Sequence, residues 1–122
     1  MKNPEDNFFR GRVRSLRFAI RGARLLIMTE HSIMVQVAVG VLVSILGFIM
    51  QISTYEWIFQ TLAIALVLVA ESLNTAIEKL CDFVHPDHHK RIGFIKDISA
   101  GAATFAAIAA IIVGLLIYLP KF

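Results

Sequence analysis

Apolar residues recur along the chain in four blocks, and the spacing within each block predicts a helix. From 8 to 30 the spacing is that of an amphipathic helix. On a wheel of about 100° per residue, Phe9, Val13, Leu16, Ile20, Ala23 and Ile27 share one sector. Arg10, Arg14, Arg17, Arg21 and Arg24 follow one another beside it at steps of 4, 3, 4 and 3. Such a helix suits the interfacial plane of a bilayer, with its arginines reaching anionic headgroups. From Ile33 to Met50 the polar face disappears, and Gln36 is the one strongly polar side chain. That run is long enough to cross the hydrocarbon, which takes roughly 18–20 residues. A polar turn, Gln51 to Glu56, separates it from a third block, which opens with the interfacial aromatics Tyr55 and Trp57 and keeps helical spacing through Leu80. The last block, 98 to 119, is rich in Ala and Gly and stops at Pro120, and small residues let membrane helices approach closely. The expected fold is an all-α membrane protein of one domain: a surface helix over 8–30, then transmembrane helices over 33–50, 57–80 and 98–119.

Composition agrees with lipid as the solvent. Of the 122 residues, 57% are hydrophobic and 17% charged, against about a quarter charged in soluble domains. The polar run Met1 to Asn7 is not expected to be a secretory signal, and Lys2 does not suit N-myristoylation. Cys81 cannot form an internal disulfide and is expected to pack near the membrane boundary. Charge placement is more informative than the net +3. The first segment carries six arginines, and the segment between the second and third spans holds Lys79, Lys90, Arg91 and Lys96. The turn between the first two spans has no basic residue. By the positive-inside rule, the N-terminus and the 79–97 loop face the cytoplasm of a bacterial inner membrane, and the C-terminus faces outward.

Polar chemistry concentrates in one place. Glu71, Asn74, Glu78 and Asp82 follow at steps of 3, 4 and 4 and so share a helix face. Counted from Trp57, Glu71 lies about 21 Å along the helix axis, still within a hydrocarbon core of about 30 Å. An ionisable side chain there costs roughly 2.5–3.5 kcal/mol to insert, which makes function its default explanation. Glu78 and Asp82 also fit a solvated helix end. Glu30, where the surface helix gives way to the first span, fits an ordinary helix-start charge with Thr29 or Ser32 capping nearby. Brought together, Glu30 and a stripe carboxylate would suit a hard cation such as Mg²⁺, and magnesium suggests phosphate. Lys96 is positioned to neutralise phosphate oxygens, with Asp97 beside it. The run His85-Pro86-Asp87-His88-His89 is a weak nucleotide or transition-metal signal, since Pro86 interrupts any helix between His85 and His89. No glycine-rich phosphate loop is present, and the hydrophobic body argues against nucleic acid as a partner.

Glu71-Ser72-Leu73-Asn74-Thr75-Ala76-Ile77-Glu78, followed by Asp82, His89 and Lys96-Asp97, closely resembles the signature of the prokaryotic diacylglycerol kinase family. Gly22-Ala23-Arg24 and Thr29-Glu30 match upstream. The resemblance covers nearly the whole chain and implies a membrane-embedded lipid kinase, typically a homotrimer, that moves the γ-phosphate of ATP to a lipid hydroxyl. It implies Glu71 as general base, and Glu30 and Glu78 as holders of the magnesium that accompanies ATP. Asn74 would orient the substrate or the base. Phe18, Asp87, His88, His89, Lys96 and Asp97 would contact the nucleotide, and Arg24 the lipid. The stretch Lys96 to Ala102 and the Leu119-Pro120-Lys121 end look more like the branch that phosphorylates undecaprenol than like the diacylglycerol kinases proper. His31 departs from the small or basic residue expected after Glu30. The alternative from another class is a small oligomeric transporter or channel lined by Glu71 and Asn74.

Overall fold

The computed structural model describes residues 7–122 and is helical throughout its regular structure. The reading of Met1 to Asn7 therefore lies, up to residue 6, outside the described residues. Helix α1 spans Phe8–Thr29, α2 His31–Ile49, α3 Thr54–Val84 and α4 Lys90–Tyr118, with a closing 3₁₀ turn over Leu119–Lys121. The last three are long and apolar enough to cross a membrane.

Local chemistry places each boundary. Asn7 caps α1, its side-chain oxygen accepting from the Arg10 amide at 2.7 Å. Glu30 alone separates α1 from α2, with extended backbone at φ −105° and ψ 115°. The sequence suggested Thr29 or Ser32 as a cap at this junction, but neither caps α2. The Thr29 hydroxyl donates back to the Leu25 carbonyl at 2.6 Å, and Ser32 lies inside α2. Helix α2 closes in a left-handed residue, Gln51 at φ 53°. The Ile52 amide then donates to the Gly47 carbonyl and the Gln51 amide to that of Phe48, the Schellman pattern. Helix α3 begins three residues before Trp57. Ser53 and Glu56 form a reciprocal capping box, with Ser53 Oγ accepting from the Glu56 amide at 3.2 Å and Glu56 Oε1 from the Ser53 amide at 2.9 Å. It runs to Val84, past the expected 80, and stops because the residue before Pro86 is held extended. Helix α4 begins at Lys90, eight residues before its apolar run, with the His89 ring accepting from the Arg91 amide at 3.1 Å.

Packing is led by α3 against α4, where Ser99, Ala103 and Ala106 bury a small-residue face of α4. Helix α2 leans on α3 through Gly40, where a Cβ would stand 3.1 Å from Ile64 Cγ2. Cys81 is buried, in keeping with a packing role. Most large apolar side chains are exposed on the outer surface, as suits helices solvated by lipid tails rather than water. The α2–α3 turn is the tightest junction. A Cβ at Gly47 would meet Ile52 Cδ1 and the Trp57 ring at 3.0 Å each. Gly47→Val is therefore expected to cost about 1–3 kcal/mol by overpacking. Denaturation of the purified variant in detergent checks this, and an unchanged midpoint would mean that the turn has room to spare.

Candidate functional site

The site residues come to one end of the bundle by three routes. Helical repeat aligns Glu71, Asn74 and Glu78 on α3, and all three are half-buried. The Asn74 amide nitrogen donates to Glu78 Oε1 at 3.1 Å. A carboxylate only accepts, so this bond fixes the amide's orientation and turns Oδ1 the other way. That oxygen is buried and has no partner.

The α1–α2 junction supplies the second route. The break at Glu30 brings its carboxylate to the last turns of α3, where Lys79 Nζ lies 2.9 Å away. Lys79 is largely exposed and Glu30 mostly covered, with side-chain exposures of 66% and 22%, so the lysine reaches over the carboxylate rather than the reverse. Glu30 thus stands beside the helical turn that carries Glu78. The third route is the early start of α4, which puts Lys96 opposite α3. Its ammonium contacts Asp82 Oδ1 at 2.5 Å. Asp82, expected from sequence only as a stripe member or helix end, is the residue that holds Lys96.

The connection between α3 and α4 is ordered by its own polar groups. His85 Nδ1 lies 2.8 Å from the Asp87 carbonyl, and the His85 and His89 rings sit 5.0 Å apart. Asp87, His88 and His89 are exposed, and Asp97 is exposed on the first turns of α4. Phe18 and Arg24 are exposed on α1. The pairs Lys79–Glu30 and Lys96–Asp82 join residues far apart in sequence, and no spacing rule points to them.

Among the described residues, no cluster of three or more His, Cys, Asp or Glu stands ready for a metal ion. The donors nonetheless fit magnesium, which is usually held by one or two carboxylates with the remaining positions filled by phosphate oxygens and water. Glu30 offers such a carboxylate from the α1–α2 junction and Glu78 another from α3, and the Asn74 amide oxygen, whose N–H is held by Glu78, lacks a partner.

Residues 17–118 match the family model described as prokaryotic diacylglycerol kinase. The chain belongs to the prokaryotic diacylglycerol kinase family. It is accordingly a lipid kinase and a membrane protein. An undecaprenol kinase of Bacillus subtilis is 36% identical over 120 residues, covering 98% of this chain and 94% of that protein. A diacylglycerol kinase of Synechocystis is 33% identical over 107 residues, covering 87% of this chain and 61% of that protein.

Proposed function

We propose that this chain transfers the γ-phosphate of ATP to the hydroxyl of a membrane lipid, diacylglycerol or undecaprenol, with magnesium as the accompanying cation. The observation that carries the reading is the half-buried Glu71–Asn74–Glu78 face of α3, with Glu30 drawn to the same end and Lys96 facing it from α4. Glu71 takes the proton from the lipid hydroxyl as its oxygen bonds to the γ-phosphorus and the bond to the ADP oxygen breaks. Glu30 and Glu78 hold the cation. A bound magnesium contributes charge against the phosphate oxygens, the main chemical demand of phosphoryl transfer. Asn74 keeps Glu78 oriented through its N–H and has its amide oxygen left for substrate or cation. Lys96 and Asp97 bind the nucleotide with Asp87, His88 and His89, while Phe18 lines the adenine and Arg24 meets the lipid headgroup.

The arginine-rich α1 lies on the cytoplasmic face of a bacterial inner membrane, its exposed Phe9, Val13, Leu16, Ile20 and Ile27 taken up by lipid. The N-terminus and the 79–97 segment are cytoplasmic and the C-terminus is outward, following the basic residues. A homotrimer completes the assembly. Labelled ATP in mixed micelles, with diacylglycerol and undecaprenol in competition, tests the reading. Phosphate transferred to neither lipid would overturn it.

Asp82→Asn separates positioning from chemistry. Loss of the carboxylate releases Lys96, so KM for ATP is expected to rise several-fold, roughly the value of one charged hydrogen bond, with kcat little changed. A drop in kcat at unchanged KM would place Lys96 in the transfer step instead.

A further inference from the structure

A cleft of about 400 Å³ lies between α2, α3 and α4, lined by Gly40 and Val43, by Gln60, Ile64 and Val67, and by Gly114. The volume falls within the range of sites that hold small molecules. Helices α2 and α4 do not pack along their length, and the cleft lies where they stand apart. At its outer end the Tyr118 hydroxyl donates to Gln60 Oε1 at 2.5 Å and stands 3.3 Å from the Val43 carbonyl. Gln60 is only 4% exposed, yet its Nε2 has no partner. A buried amide donor at membrane depth is costly to leave unpaired.

The cleft lies on the same side of α3 as the carboxylate face. Gln60, Ile64, Val67 and Glu71 follow at steps of 4, 3 and 4 on α3. Gln60 and Glu71 are thus about 20° apart on the helical wheel and about 16 Å apart along the axis. The surrounding medium at this depth consists of hydrocarbon chains, so a lipid chain is the occupant that the cleft meets first. An alcohol whose hydroxyl reaches Glu71 has its chain running down this face. A saturated chain leaves the Gln60 N–H unsatisfied, whereas a carbon–carbon double bond presents π electrons to it as a weak acceptor.

We infer that the α2–α3–α4 cleft holds the chain of the lipid alcohol, and that Gln60 at its far end selects a long unsaturated, prenyl-type chain. The inference deepens the kinase reading and rests on it. Gly114 offers the probe, because a Cβ there meets nothing within 4 Å although the residue lines the cleft. Gly114→Leu fills the slot without a backbone clash.

The experiment compares undecaprenol, the same alcohol fully hydrogenated, and the five-carbon prenol (3-methylbut-2-en-1-ol) as acceptors for the purified protein in mixed micelles with ATP. Wild type is expected to show a KM roughly three- to fivefold lower for the unsaturated long chain than for its hydrogenated form, the scale of a weak hydrogen bond. Gln60→Leu erases that difference. Gly114→Leu raises the long-chain KM about tenfold relative to the five-carbon prenol, which is too short to reach Gly114, as loss of one buried apolar contact surface does. Native mass spectrometry provides an arm independent of turnover: wild type retains undecaprenol through delipidation and Gly114→Leu does not. Equal KM values for the two long chains, or a folded Gly114→Leu that still retains undecaprenol, overturn the inference. So does a loss of oligomer on filling the cleft, which would make it the seat of a second copy. Retention of undecaprenol without phosphorylation of any alcohol supports the slot and removes the kinase reading alone.

Discussion

Glu71→Gln is expected to lower kcat for lipid phosphorylation by about 10²–10⁴-fold, the range over which a positioned general base contributes, while the protein stays folded. The amide keeps the size of the side chain and its place on α3, so the packing of the half-buried position is retained. What it loses is the ability to accept the proton from the lipid hydroxyl. Because Glu71 is not paired with Lys79 or Lys96, whose ammonium groups are held by Glu30 and Asp82, the substitution strips no ion pair from the bundle. Binding of ATP and magnesium should therefore persist, and the effect should appear in kcat rather than in either KM. Turnover with labelled ATP measures the loss, and helix content and melting temperature in detergent show that the fold survives. A variant that retains near-normal turnover would remove Glu71 as the base.

The spans were legible because hydrocarbon imposes a simple rule: a long run without charge must be a helix. The boundaries were legible only where a short-range signal was read with the run. Ser53-Thr54-Tyr55-Glu56 is a capping box that sequence alone announces, and a boundary drawn from the apolar run alone falls late. The start of α4 was hidden for another reason. Lys90, Arg91, Lys96 and Asp97 are charged, so a search for an uncharged run stops short of them, although the helix extends through them. For the site, Glu71, Asn74 and Glu78 followed from helical repeat. Lys79 against Glu30, Lys96 against Asp82 and Tyr118 against Gln60 depend on how neighbouring helices are registered, and local spacing carries no trace of that. Gln60 and Tyr118 read in sequence as ordinary polar residues near a span end. Only the loose fit of α2 beside α4 shows what they enclose.

Glu30→Gln and Glu78→Gln are expected to raise the magnesium concentration needed for half-maximal turnover by at least tenfold each, with a smaller change in KM for the lipid. A hard cation shared with nucleotide phosphates takes one or two carboxylates from the protein, so removing either leaves too little negative charge to hold it. The two substitutions should nonetheless differ in their structural cost. Glu78 accepts from Asn74, and a glutamine there still offers an oxygen to that N–H. Glu30 is bridged by Lys79, and a glutamine leaves the lysine without its counter-charge. Lys79 is mostly exposed, so it is free to turn to solvent and the fold should tolerate the change. The same bridge makes Lys79 a competitor of the cation for Glu30. Lys79→Ala should therefore shift the magnesium requirement the opposite way, toward lower concentration. Titrations of turnover, paired with direct Mn²⁺ binding by electron paramagnetic resonance, separate the three variants. If Glu30→Gln and Glu78→Gln bind Mn²⁺ as tightly as the parent chain, neither carboxylate holds the metal, and the lysine bridge is a structural contact only.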